Sequence, residues 1–71
     1  MIPGPNPIVS VAECCLATQQ EVERALNTCT QRLGNMLGPG FSIASTTATL
    51  VREPSLDSAG MMMVTVTGVA G

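Results

Sequence analysis

The chain has 71 residues, a net charge of −2 and only 11% charged residues, while 45% of its residues are hydrophobic. A chain of this length forms at most one domain, whose core rarely supplies more than ~3–5 kcal/mol of net stability without help from a disulfide, a metal or a neighbour. Three arginines, no lysine and a negative balance exclude the clustered basic surface of a nucleic-acid binder. The sparse charge also disfavours a freely soluble monomer, whose surface typically carries ~25–35% charged residues.

Histidine and cysteine usage argues against a metal centre and against catalysis. The chain has no histidine, Cys14 and Cys15 are adjacent, and Cys29 stands alone, so the spacings of a zinc site are missing. A cysteine nucleophile would also lack its usual histidine base. We therefore expect no enzymatic activity, no cofactor and no small-molecule substrate, and we expect the cysteines to be small buried apolar residues.

The start of the chain lacks the basic segment and long apolar run of a secretory signal, and no apolar run is long enough to span a membrane. We expect a protein made without a cleavable signal in a reducing, cytoplasmic compartment, unless a signal-independent route exports it. Residues 1–9 are predicted to be an extended arm, because three prolines and a glycine fall within residues 1–7. Such an arm either docks on a neighbour or is a floppy end.

Residues 10–37 are predicted to form one long amphipathic helix. Ser10 and Glu13 have the spacing of a capping box at its start, and Gly38 follows its expected last residue, Leu37, with Gly34 as an earlier stop. Steps of three and four residues define an apolar seam with one polar member. The seam consists of Ile8, Ala12, Cys15, Gln19, Val22, Leu26, Cys29, Leu33 and Met36. It needs an apolar partner, which is either the rest of this chain or another chain.

The remainder, residues 38–71, is predicted to contain a β-hairpin. Residues 41–51 and 61–69 alternate with a period of two and are rich in threonine and β-branched residues, and a polar turn region separates them. Met62, Val64 and Val66 share one face of the second strand. Because a lone hairpin is marginal in water, we expect the helix on one face and a strand of another subunit on either strand's free edge.

These observations together predict a single small α+β domain with an arm, a helix and a hairpin. The favoured function is a structural, self-assembling subunit of a homo-oligomer, filament, tube or shell. Its interface would consist of the apolar seam together with Met62, Val64 and Val66, in a coiled coil or helical array joined by strand edges. The alternative is a small accessory or adaptor subunit that binds a different protein through the same helix.

Overall fold

In the computed structural model, which describes residues 7–71, four elements follow one another along the chain. They are strand β1 (Ile8–Leu16), helix α1 (Gln19–Leu37), strand β2 (Ser42–Arg52) and strand β3 (Met61–Val69). Most of the predicted arm, residues 1–6, lies outside the described residues. Its last two residues, Ile8 and Val9, belong to β1.

The predicted helix over residues 10–37 is wrong at its start, where the chain forms β1 instead. This segment also alternates with a period of two, and Val9, Val11 and Cys15 share the side that faces α1. Ile8, Val9 and Val11 are β-branched, which favours a pleated strand over a helix. Ala12 and Cys15 therefore lie on opposite faces of the sheet rather than on one helical stripe.

The helix begins after Thr18, whose hydroxyl accepts a hydrogen bond of 3.3 Å from the amide of Glu21. Thr18 is the N-cap, so the predicted capping box of Ser10 and Glu13 is wrong. The Ser10 hydroxyl instead shares a hydrogen bond of 2.7 Å with the hydroxyl of Thr67 across the sheet. The helix ends at Leu37, the predicted position, because Gly38 takes a φ of 81°, which disfavours any other residue.

The three strands form one sheet in the order β1, β3, β2. β3 is central and pairs antiparallel with both neighbours, and Thr65 lies opposite Ala12 on one side and Thr47 on the other. The predicted hairpin of β2 and β3 is present, but β1 adds a third strand before the helix. The predicted fold, a helix followed by a single hairpin, is therefore wrong. Because both edges of β3 are paired within the chain, the hypothesis that β3 pairs with another subunit is wrong as well.

The core lies between α1 and the sheet, beneath only two of the three strands. α1 packs against β1 and β3 and makes no comparable contact with β2. The buried hydrophobic residues of the described chain are Cys15, Ala25, Cys29, Leu33, Val64 and Val66. Gly68 on β3 lets the helix approach closely, since a Cβ there would lie 3.1 Å from a methyl of Leu37 and 3.2 Å from one of Leu33.

Candidate functional site

The outer edge of β2, called the β2 edge below, is the least protected part of the sheet. All eleven residues of Ser42–Arg52 are exposed, and within the described part of the chain the strand pairs only with β3, on its inner side. β-bulges lie between Ile43 and Ser45 and between Leu50 and Arg52, so the stretch 45–50 is regular. An edge strand with unpaired amide and carbonyl groups is a template for pairing with a further strand.

The helix side of β2 also exposes apolar surface. Ile43 and Leu50 face the same side as the core residues Val64 and Val66, because they lie opposite Gly68 and Met62 on β3. They are nevertheless 45% and 47% exposed, since α1 does not extend over this strand. The sheet is thus one strand wider than the layer that covers it.

The face of the sheet opposite α1, called the open face, has no element of the described chain packed on it. Ile8 is 67% exposed there, and Leu16 and Met63 are exposed too. Arg52 is its only charged residue among the described residues. The open face consists of Ile8, Ser10, Ala12, Cys14 and Leu16 on β1, Met61, Met63, Thr65, Thr67 and Val69 on β3, and Ser42, Ser45, Thr47, Thr49 and Arg52 on β2.

The β1 edge differs from the β2 edge because it carries a charge that points into the molecule. Glu13 faces α1 from the middle of β1, and its Oε1 lies 3.9 Å from Nη2 of Arg32 on the helix. Its other oxygen, Oε2, is buried and accepts no hydrogen bond within the described chain. Burial, and secondarily the neighbouring Glu13 carboxylate, raises the pKa of the Cys29 thiol. An inward charge of this kind discourages a further strand from joining the β1 edge.

Glu13→Leu is expected to stabilise the fold by about 1 kcal/mol, because it replaces a half-buried carboxylate that has one unpaired oxygen with an apolar side chain. Arg32 is mostly exposed and stays hydrated after the change. Urea unfolding followed by circular dichroism measures the effect. Arg32→Gln is the matched control, and a loss of stability in both variants would show that the ion pair contributes more than its desolvation costs.

The predicted interface residues fall into three classes. Cys15, Cys29, Leu33, Val64 and Val66 are core residues and present no surface to a partner. Val22, Leu26 and Met62 are half-buried against that core. Ile8, Ala12, Gln19 and Met36 are exposed. From Val22 to Leu33 the apolar seam is therefore occupied by the chain's own sheet. β2 contributes no residue to the predicted interface and is exposed along its whole length, and its weakly sided, threonine-rich pattern was the available signal.

No pocket was found in the part of the chain that the structure describes, nor a group of three or more His, Cys, Asp or Glu side chains able to hold a metal ion. Among residues 7–71, no helix combines the length and the apolar character needed to cross a membrane. What the structure does present at the β2 edge is an exposed strand with apolar side chains, among them Ile43 and Leu50. Comparison with known proteins gave no matching family model, no matching curated protein and no matching solved structure.

Proposed function

We propose that the chain is a structural subunit that assembles with copies of itself through the β2 edge. The observation that carries this proposal is an eleven-residue edge strand in which every residue is exposed and one row of backbone groups has no partner strand among residues 7–71. Proteins usually protect such an edge with lysine, proline, inward charges or a covering element. β2 contains no lysine, proline or inward charge, and no element of residues 7–71 covers its outer edge. Its only charge, Arg52, is its last residue.

Among the described residues, the bulges at the two ends of β2 are its only protective feature, and they leave the stretch 45–50 regular. Each backbone hydrogen bond that an added strand forms contributes about 0.5–1.5 kcal/mol net. Covering Ile43 and Leu50 adds the burial of apolar surface, at about 25 cal/mol per Å². A small chain with a limited core gains most from such added hydrogen bonds and apolar burial.

An accessory subunit of a hetero-complex is the alternative, and the packing of α1 changes what it requires. The adaptor hypothesis places a partner's helix on the apolar seam, but Cys29 and Leu33 of that seam are fully buried beneath the chain's own sheet. A foreign partner would have to bind an exposed surface instead, such as the β2 edge or the open face. Self-assembly is the simpler proposal because every copy already presents a strand of matching length.

Thr47→Lys tests the proposal, because it places a charge at the centre of the exposed edge without touching the core. We expect the wild-type chain to associate with increasing concentration in sedimentation velocity. The variant should raise the dissociation constant at least tenfold, which corresponds to about 1.4 kcal/mol.

The control is Gln31→Lys, which makes the same charge change on the exposed side of α1 and should leave association unchanged. Circular dichroism checks that both variants remain folded. A wild-type chain that stays monomeric throughout the concentration series would refute self-assembly. Equal association of Thr47→Lys and the wild type would refute the role of the β2 edge.

A further inference from the structure

We infer that two copies pair their β2 edges antiparallel about a two-fold axis that passes beside Thr47. This inference rests on the proposed function and specifies its geometry. The partner of the β2 edge is then the same strand of a second copy, and the product is one continuous six-stranded sheet.

The direction of pairing follows from symmetry. A two-fold axis perpendicular to the sheet reverses the direction of the strand while each face stays on its own side. The second β2 therefore runs antiparallel to the first, and both helices lie on the same face of the joined sheet. Residues directly opposite each other in an antiparallel pair point to the same face. In a two-fold pair of this kind, the strand must therefore be centred on a residue, and that residue lies directly opposite the same residue of the second copy.

The length of β2 satisfies this condition over the whole strand. Because β2 has eleven residues, Ser42–Arg52, its centre is a residue, Thr47, and not a peptide bond. Pairing centred on Thr47 joins the regular residues 45–49 directly, with Ser45 opposite Thr49 of the second copy, and sets the bulge at Ile43–Ser45 of each copy beside the bulge at Leu50–Arg52 of the other. The register within the chain has the same centre, because Thr47 lies opposite Thr65, the middle residue of β3.

This arrangement also suits the side chains at the two ends of the strand. The two Arg52 side chains lie at opposite ends of the pair, roughly 30 Å apart at 3.3 Å per residue, and each lies beside an uncharged Ser42. On the helix side, Leu50 of one copy comes beside Ile43 and Ala44 of the other. Two of the three large apolar residues exposed on this strand, Ile43 and Leu50, thus come beside each other, and the third is Val51.

The competing geometry joins the β2 edge of one copy to the β1 edge of the next and produces an open filament. β1 and β2 run parallel to each other, since both are antiparallel to β3, so that junction would be a parallel pair. Parallel pairing is slightly less stable per residue than antiparallel pairing. The junction would also bring the β2 edge beside the strand that carries the inward Glu13. Neither cost arises when β2 pairs with β2 of a second copy.

Cysteine cross-linking tests the geometry in the full chain with Cys14→Ser, which removes the exposed native thiol and leaves the two buried ones, Cys15 and Cys29. In the proposed pair, the two Cα atoms at residue 47 lie about 4.5–5.5 Å apart, within the range that a disulfide bridges. The two copies of residue 45 lie about 13 Å apart, which is too far. Thr47→Cys should therefore form a covalent dimer under mild oxidation. Ser45→Cys alone should not, but it should cross-link when mixed with Thr49→Cys.

Ala12→Cys distinguishes the competing geometry, because Ala12 and Thr47 lie opposite the same residue of β3, Thr65. In an unstaggered filament these two positions would be adjacent between neighbouring copies. Cross-linking of Ala12→Cys with Thr47→Cys, without a Thr47→Cys homodimer, would overturn the two-fold pair and leave self-assembly standing. If the Cys14→Ser chain and the wild type both sedimented only as monomers, the two-fold pair and self-assembly would both be overturned.

Discussion

Leu33→Ala is expected to leave most of the molecules unfolded at 25 °C. Leu33 is fully buried between α1 and the sheet, where it lies over Gly68 of the central strand. Truncating a buried leucine costs about 2–5 kcal/mol, from the lost transfer free energy and the cavity that remains. A domain of this size has only ~3–5 kcal/mol of net stability in its core, so one such change removes most or all of it.

Met36→Ala is the matched control, because Met36 belongs to the same predicted seam one turn further along but is 64% exposed. It should shift the urea midpoint only slightly, since surface changes usually stay within about 0.5 kcal/mol. Far-ultraviolet circular dichroism during a urea titration measures both variants. If Leu33→Ala were no more destabilising than Met36→Ala, the helix would not pack on the sheet through this face.

From residue 19 onwards, the sequence was a good guide to the helix. The spacing of Val22, Leu26, Cys29 and Leu33 predicted the face that packs on the core, and Gly38 marked the end. Helical periodicity was informative here because four such residues over three turns have no strand interpretation. The sequence did not show what this face contacts. In the structure it packs on β1 and β3.

Residues 8–16 were misassigned because their sequence fits both periods. Ile8, Ala12 and Cys15 follow helical steps, while Val9, Val11 and Cys15 follow the alternation of a strand. Local pattern could not decide between them. Tertiary contacts determine the outcome, because β1 pairs antiparallel with the central strand β3 along its whole length, from Leu16 opposite Met61 to Ile8 opposite Val69.

The candidate site depends on which strands α1 covers, and composition alone could not predict this. β2 and β3 have similar alternating patterns, yet Val64 is buried while Ala48, directly opposite it, is exposed. The difference arises from the order of the strands and from the position of the helix over β1 and β3. Had β2 been the central strand, the same residues would have formed the core.

Gly60→Ala is the second change expected to have a large effect. Gly60 adopts a φ of 83°, where a residue with a Cβ is strained by about 1–2 kcal/mol. Its Cβ would also lie 2.6 Å from the carbonyl oxygen of Arg52 and 2.8 Å from the nitrogen of Pro54, both backbone atoms that cannot rotate away. We expect a total loss of roughly 3 kcal/mol in urea unfolding.

Gly40→Ala separates the two contributions, because Gly40 has nearly the same φ of 85° but no atom within 4 Å of its Cβ position. It should therefore show only the backbone strain, about 1–2 kcal/mol. The excess loss in Gly60→Ala would then report the clash where β2 leaves the sheet and β3 enters it. The Gly60 carbonyl also accepts a hydrogen bond of 3.1 Å from the amide of Ala17, so displacing this residue loosens the junction of β1 with α1 as well. Equal losses in the two variants would show that the backbone around residues 52–54 moves aside freely.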